Sequence, residues 1–263
     1  MLVIFFIVSF VSSTIGAICG IGGGIIIKPV LDSLNVLKVS LLSSCTVLSM
    51  SLYTFIQAKI SGSSKVDLKI ATPLAIGGIF GGIIGKILFS YIIAFFQNEN
   101  IAGTFQSTIL IFLTIITLFF TIKNMGINKI TSLHLTNIFL CLIIGIILGL
   151  LSSFLGIGGG PFNIMFLYLF FSMDEKTSAE NSLYIILFSQ ISNVFISIIK
   201  NDFEKINLSF LYVMILGGIL GGILGRLINK KIDISIFQKL FLILLFIIIL
   251  INVYNLYNFC INI

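Results

Sequence analysis

Apolar residues fill most of this chain in long runs that short polar breaks separate. The runs cover roughly residues 2–19, 25–37, 39–58, 70–86 (with a shorter piece at 87–96), 101–122, 133–155, 161–173, 177–199, 208–226 and 236–259. A membrane-spanning helix needs about 20 mostly apolar residues, and most of the runs approach that length. Two runs of about 13 residues, 25–37 and 161–173, are too short to span as ordinary helices. The pattern therefore predicts an all-α, polytopic membrane bundle with about 8–10 membrane segments.

Both short runs follow a glycine cluster directly, and the two clusters are copies of one motif. Residues 20–24 read GIGGG, and the same five letters return at 156–160, an offset of 136. A second motif, GGIFGGIIGK at 77–86, matches GGILGGILGR at 217–226, an offset of 140. Two motifs in the same order at nearly the same spacing indicate a tandem duplication with glycine-broken helices.

The duplication divides one integral membrane domain into a first repeat, 1–132, and a second repeat, 133–263. If each glycine break lies inside one bent span, each half has four spans and the halves are parallel. If the short segments count as crossings, each half has five and the halves are inverted. The basic residues then divide ten against four, with Lys28 unassigned, whereas the parallel arrangement divides them seven against eight. The positive-inside rule therefore favours the inverted arrangement.

Composition excludes several classes of protein. Charged residues make up 9% of the chain, against about a quarter in soluble domains. The net charge of +6 comes from basic residues scattered between apolar runs, which fits cytoplasmic loops better than a nucleic-acid surface. One histidine and four separated cysteines provide no metal site, and no catalytic or nucleotide-binding motif is present. The sequence therefore predicts no enzyme, no metal and no cofactor.

The glycine clusters carry the main functional signal. An unwound backbone in a membrane is tolerated only where protein buries it or water lines it. The half-helix after each cluster presents unpaired N–H groups and the positive end of its dipole, which together make an anion site. The predicted binding glycines are Gly20, Gly22, Gly23, Gly24, Gly156, Gly158, Gly159 and Gly160. The alternative is that these glycines only allow tight turns or close helix packing.

Side chains after the clusters extend this prediction. Lys28 and Pro29 follow the first cluster, and a cation one turn into the half-helix would attract the same anion, unless it reaches out to the headgroups. The second copy has Pro161 and Asn163, so a shared site would be asymmetric. Polar residues on the next helix of each half are predicted to line the pathway, or to bond across helices: Ser44, Asn181, Ser182 and Gln190.

Two carboxylates and the second glycine motif complete the predictions from the residues. Asp32 and Glu180 are the candidates for proton coupling, with placement at the membrane interface as the alternative. The GGxxGGxxG strings contain overlapping small-xxx-small spacing, which close helix packing explains.

The chain resembles the TauE/SafE family in the order of its motifs. Each GxGGG cluster is followed by an apolar, proline-containing half-helix, and GGxxGGxxG lies between the clusters. The resemblance covers essentially the whole chain. It implies a multi-pass bacterial inner-membrane protein that moves sulfite, organosulfonates or related small anions. The family's cluster positions correspond here to Gly20, Gly22, Gly23, Gly24 and Pro29, then to Gly156, Gly158, Gly159, Gly160 and Pro161. Proline follows the second cluster at once but the first only after four residues, so the two halves differ.

The function predicted from these features is secondary transport of a small anion through a site between the two glycine breaks. Half-helix N-termini and Lys28 would hold an oxyanion while the repeats rock against each other, with protons as the coupling ion. The predicted partners are the lipid bilayer and the anion, with no nucleic acid; the sequence predicts no oligomeric state. The alternative is a non-transporting membrane subunit that anchors or assembles a partner complex.

Overall fold

A computed structural model describes residues 1–34, 36, 39–125, 130–157 and 159–261. These residues form ten α-helices, a short 3-10 helix (Asp202–Lys205) and no strand. The helices are α1 (Leu2–Cys19), α2 (Gly24–Ser33), α3 (Val39–Ile60), α4 (Leu68–Phe96), α5 (Glu99–Met125), α6 (Ile138–Phe154), α7 (Pro161–Phe171), α8 (Glu175–Ile199), α9 (Leu208–Lys231) and α10 (Ile234–Ile261). Seven are long and apolar enough to cross a membrane, so the predicted all-α polytopic bundle is confirmed.

Two boundaries differ from those that hydrophobicity predicts. Residues 87–96 are not a separate piece but the last turns of α4, which continues to Phe96. The run beginning at 133 becomes helical only at Ile138, where the Asn137 side chain caps the helix by accepting a hydrogen bond from the Phe139 N–H. The preceding residues are not helical, His134 among them has φ 49°, and Leu133 and Leu135 donate backbone hydrogen bonds to the end of α7.

The two short apolar runs form short helices that start at the glycine clusters. Helix α2 has 10 residues and α7 has 11, so they rise about 15 Å and 16 Å, about half of a hydrocarbon core. Gly20 ends α1 in the left-handed conformation with φ 72°, and Gly156 follows α6 with φ 66°. Glycine adopts this conformation without steric cost, which explains why both helices stop there.

The GGxxGGxxG motifs place α4 and α9 in contact with two helices each. Gly77, Gly81 and Gly85 lie against α6, where an added Cβ atom would stand 2.0–2.4 Å from an α6 carbonyl oxygen. On the adjacent face, Gly78 and Gly82 lie against α8. The second motif repeats this pattern, with Gly217, Gly221 and Gly225 against α1 and with Gly218 and Gly222 against α3. The glycines occur in pairs because α4 and α9 each pack closely against two other helices.

Corresponding helices of the two halves run in opposite directions. Helices α4, α6 and α8 are parallel to one another, because successive glycines of α4 meet successive residues of α6 and α8; α1, α3 and α9 are parallel for the same reason. The two sets are antiparallel, since Phe55 near the end of α3 packs on Tyr184 near the start of α8, with ring centroids 5.0 Å apart. An inverted duplication accounts for this packing, and the halves 1–132 and 133–263 remain our proposal for its origin.

Helices α3 and α8 cross at the centre of the bundle. Val47, Met50, Leu183 and Ile186 are buried there in one apolar cluster with Ala17. The outer faces of α4, α5 and α10 instead expose large apolar side chains, among them Phe80, Phe112 and Phe246. Such faces suit contact with lipid.

The glycine contacts generate a stability prediction. Gly81→Ala places a Cβ 2.0 Å from the Ile146 carbonyl oxygen, which forces α4 and α6 apart. We expect a loss of about 1–3 kcal/mol, the usual cost of overpacking, measured as a lower Tm of the purified protein in detergent. Gly78→Ala is the matched control, because its nearest neighbour is a side-chain carbon 3.6 Å away and alanine favours helix. Equal destabilisation by both variants would contradict the packing argument.

Candidate functional site

The two glycine clusters lie against each other inside the bundle. A Cβ atom on Gly24 would stand 2.0 Å from the Ile157 carbonyl oxygen, and one on Gly159 would stand 3.2 Å from the Ile21 carbonyl oxygen. Ile21 and Ile157, one within each cluster, have no exposed surface. We call this region the glycine crossing; it comprises residues 20–24, 156–157 and 159–160. It brings together segments that are more than a hundred residues apart in the sequence.

Several glycines of the crossing are explained by close packing alone. A Cβ on Gly20 would lie 2.3 Å from Ala179, and one on Gly160 would lie 2.3 Å from the Phe162 ring. Gly22 has φ 73°, and the Gly22–Gly23 backbone presses against Gly16 of α1. Gly158, also predicted to bind the anion, lies outside the described residues.

Both half-helices begin at the crossing. Helix α2 starts at Gly24 with Gly23 as its N-cap, and α7 starts at Pro161 with Gly160 as its N-cap. The first N–H groups of a helix have no partner within it, and its dipole is positive there. Two positive helix ends therefore converge on one buried region, although Pro161 contributes no N–H.

Four buried polar atoms beside the crossing have no hydrogen-bond partner among the described residues. They are Ser13 Oγ, Ser43 Oγ, Ser152 Oγ and Asn163 Oδ1. Ser43 Oγ lies 2.8 Å from the position of a Gly24 Cβ, and the Ser152 carbonyl accepts a hydrogen bond from Ile157 N. The Asn163 N–H bonds to Gly160 O at 3.0 Å. The Ser13 Cα atom lies 3.1 Å from the position of a Gly23 Cβ, while the Ser13 Cβ lies against Gly221 of α9. The other three residues each touch one of the two clusters or the start of its half-helix.

These unpaired groups contrast with other hydroxyls on the same helices. Thr46 and Ser51 of α3 each donate to the carbonyl four residues back, at 2.8 Å, as buried hydroxyls in membrane helices commonly do. A buried hydroxyl without a partner is costly and needs an explanation, which a bound ligand would provide.

A cavity of about 490 Å³ opens beside the crossing at one end of the bundle. It reaches the second cluster, because the Lys28 Cε atom lies 2.9 Å from the position of a Gly156 Cβ and Ser40 Oγ lies 3.3 Å from it. The polar and glycine residues in its lining are Lys28, Asp32, Ser40, Lys86, Ser90, Asn100, Gly103, Gln106, Ser153, Gly156, Ser197, Lys200 and Asp202.

The cavity charges are three lysines and two aspartates, a net positive lining. Lys28 Nζ pairs with Asp32 Oδ2 at 2.8 Å, and their side chains are only 13% and 18% exposed. Lys86 Nζ donates to the Asn193 carbonyl at 2.8 Å and to Ser197, while Lys200 Nζ donates to Ser90 Oγ at 2.7 Å. An anion in this cavity meets cations that are already held in place by neighbours.

The structure distributes the predicted site residues over three places. Lys28 and Gly156 line the cavity. Asn163 at the start of α7 donates a hydrogen bond to Ser182 Oγ of α8 at 3.4 Å. The carbonyl of Pro29 accepts a hydrogen bond from Asn255. Ser44 is buried on α3; Gln190 is buried on α8, where its side chain accepts a weak hydrogen bond from Asn193.

Glu180 and Asn181 lie elsewhere, near the start of α8 and at the end of the bundle opposite the cavity. The Asn181 amide bonds to the backbone of Lys65 and Asp67, and Glu180 Oε2 accepts from Lys65 N at 2.8 Å. All of these partners belong to the connection between α3 and α4.

Sequence reasoning missed Ser13, Ser152 and the cavity lysines Lys86 and Lys200. The sequence could have indicated the serines, because the serine pairs at 12–13 and 152–153 each precede a glycine cluster by less than three helical turns. The lysines are separated from Lys28 by long stretches of sequence, and only the packing of α4 and α8 brings them to one cavity.

Comparison with known proteins gives one match. A family model described as Sulfite exporter TauE/SafE matches residues 5–251 of the chain. No curated protein and no solved structure matches the chain.

The cavity generates a labelling prediction. The two variants Ser40→Cys and Ser51→Cys are made in a protein whose four native cysteines are replaced. Ser40→Cys, in the cavity lining, should react with a water-soluble thiol reagent more than about tenfold faster than Ser51→Cys, because burial suppresses thiol reactivity. Both sites lie on α3, and Ser51 is fully buried. Similar rates at both positions would show that the cavity is not filled with water.

Proposed function

Because the chain belongs to the sulfite exporter TauE/SafE family of membrane transporters, we propose that it carries sulfite or a related small sulfur oxyanion across the bacterial inner membrane. The observation that carries this proposal is the set of unpaired buried hydroxyls around the glycine crossing, next to a cavity lined by lysines. Hydroxyls donate hydrogen bonds to oxyanions, and converging helix N-termini add a positive potential without a fixed charge.

In this mechanism the anion enters through the cavity and passes the lysines before it reaches the crossing. There the hydroxyls of Ser43 and Ser152 donate to its oxygens. Asn163 presents its amide to the same region, and rotation of that amide would turn its NH₂ group to the anion. The site is selective for small anions because the residues around it are buried and closely packed.

The Lys28–Asp32 pair supplies a coupling mechanism. While the pair is intact, the Lys28 charge is satisfied by Asp32 at 2.8 Å. A proton on Asp32 removes that partner, and Lys28 then attracts the anion. Anion and proton are therefore bound together, which links anion movement to the proton gradient.

The distribution of basic residues orients the protein. Nine basic residues of the described part lie toward the end of the bundle opposite the cavity: Lys59, Lys65, Lys69, Lys123, Lys176, Arg226, Lys230, Lys231 and Lys239. Four lie toward the cavity end: Lys28, Lys86, Lys200 and Lys205. By the positive-inside rule, the cavity opens away from the cytoplasm.

The flux prediction tests transport and the site together. Purified protein in proteoliposomes should take up labelled sulfite with saturation, and uptake should respond to an imposed pH gradient. Ser43→Ala should weaken apparent affinity by about tenfold or more, since a hydrogen bond to a charged group contributes about 1.5–3 kcal/mol. Ser51→Ala is the control, because that hydroxyl bonds within its own helix.

Absence of flux would contradict the proposal, provided that the protein is folded and that sulfonate, thiosulfate and sulfate are also tried. The alternative of a non-transporting membrane subunit would then be favoured. Equal effects of Ser43→Ala and Ser51→Ala would leave transport standing but remove the crossing as its site.

The coupling step has its own prediction. Asp32→Asn removes the ionisable group but keeps the size of the side chain, so uptake should persist and lose its dependence on the pH gradient. Asp202→Asn, which changes another carboxylate of the cavity lining, should keep that dependence. The comparison is initial uptake rate with and without the gradient. If Asp32→Asn still responds to the gradient like the unmodified protein, the proton is carried elsewhere.

A further inference from the structure

A much smaller pocket, of about 20 Å³, lies at the opposite end of the bundle. Its lining residues are Ala17, Thr54, Ala179, Glu180, Leu183, Arg226, Asn229 and Lys230. These residues come from the ends of α1, α3 and α9 and from the start of α8. The apolar cluster where α3 and α8 cross lies next to it, since Ala17 and Leu183 belong to both.

This pocket corresponds residue by residue to the large cavity. The glycine contacts align α1 with α6 at an offset of 136, α3 with α8 at 139 and α4 with α9 at 140. With these offsets, six of the eight pocket residues have a counterpart in the cavity lining. The pairs are Ala17 with Ser153, Ala179 with Ser40, Glu180 with Leu41, Arg226 with Lys86, Asn229 with Phe89 and Lys230 with Ser90.

The basic residue in each place makes an equivalent hydrogen bond. Arg226 donates to the Thr54 carbonyl at 3.2 Å, and Lys86 donates to the Asn193 carbonyl at 2.8 Å. Thr54 and Asn193 are themselves counterparts at the offset of 139. The pocket is therefore built like the cavity, around a cation at the same position, but it is closed.

Hydrogen bonds from Glu180 and Asn181 hold the connection at the closed end, and the counterpart positions at the open end have no side chains that could form them. Asn181 accepts from Asp67 N at 3.1 Å and donates to Lys65 O at 3.2 Å, and Glu180 accepts from Lys65 N at 2.8 Å. Arg226 also donates to Ser63 Oγ at 2.8 Å. We call this set the loop latch, because it fastens the α3–α4 connection over the pocket.

At the cavity end, the positions that correspond to Glu180 and Asn181 are Leu41 and Leu42. Leucine side chains cannot hydrogen-bond a backbone. Leu41 and Leu42 belong instead to an apolar cluster on which Phe203 and Ile206 of the α8–α9 connection pack. The connection at the closed end is thus held by hydrogen bonds from Glu180 and Asn181, whereas leucines occupy the counterpart positions at the open end.

We propose that the small pocket is a second anion-binding mouth of the transport route, on the cytoplasmic side, and that the loop latch holds it shut. This inference rests on the proposed transport function. When the latch opens, Arg226 and Lys230 line an enlarged mouth that takes the same small oxyanion as the cavity. The cavity closes in the same step, because the two places are counterparts in the two halves and exchange roles as the halves rock.

The test compares two counterpart positions with equal burial. Ala17 in the pocket and Ser153 in the cavity are each 5% exposed. In the background without native cysteines, held in lipid nanodiscs so that both faces are accessible, Ser153→Cys should react quickly with a small water-soluble thiol reagent and Ala17→Cys slowly.

The latch variant Asn181→Leu, which installs the residue of the counterpart position, should reverse this preference. The reaction rate at Ala17→Cys should rise about tenfold, and the rate at Ser153→Cys should fall. A change of this size is expected when one state of an equilibrium loses one or two net hydrogen bonds. Asn252→Leu is the control, because this buried amide donates to Ile248 of its own helix.

The outcomes separate the latch from transport itself. A rise at Ala17→Cys with a fall at Ser153→Cys supports the proposal, whether or not sulfite is the substrate. A rise at both positions indicates general loosening and overturns it, as does no change at either. Sulfite flux measured on the same variants reports separately on the proposed function, so that active transport without reciprocal labelling would reject the latch alone.

Discussion

The structure depends on one constraint, that every backbone polar group inside a membrane needs a partner or a polar surrounding. Two glycine segments lie outside the helices, and they are tolerated because each is buried against the other. Gly24 rests on Ile157, and Gly159 rests near Ile21, with no room for a Cβ at Gly24. Six helices surround the crossing, and their arrangement follows from the need to cover it. The polar groups that remain unpaired there are then available to a ligand.

The glycine motifs of α4 and α9 let these helices pack closely beside the short half-helices. A short half-helix leaves space that neighbouring helices must fill, so α4 is pressed onto both α6 and α8, and α9 onto both α1 and α3. Without hydrophobic attraction between helices in lipid, such contacts depend on close van der Waals approach. The same contacts exchange helices between the halves, since α4 packs on the second half and α9 on the first. Movement of one half therefore has to move helices of the other.

The sequence is informative about some levels of this structure and silent about others. The lengths of the apolar runs and the positions of the glycines predicted the all-α class and two short segments at 25–37 and 161–173, because both depend on local composition. The structure forms these segments as helices over 24–33 and 161–171. The Lys28–Asp32 pair could also have been predicted from its spacing of four residues on a helix. The cavity could not, because Lys86 and Lys200 reach it only through the packing of α4 and α8. Asn181 illustrates the same limit: a polar residue on a helix near the second cluster suggests a pathway, but its partners at 65 and 67 are set by a distant loop.

The departures from internal symmetry are the most informative positions in the chain. Where the halves agree, as at the paired glycines or at Lys86 and Arg226, the residues build the shared architecture. Where they differ, the difference has a chemical sense. Lys28 corresponds to Ile164, and Asn163 corresponds to Ile27. One half-helix therefore carries a partly buried cation and the other a buried amide. A site with two identical halves would hold an anion equally from either side and would give no preference for one state. In the mechanism we propose, asymmetric charge near the crossing and the loop latch give the two states different energies, and a transported ion shifts the balance between them.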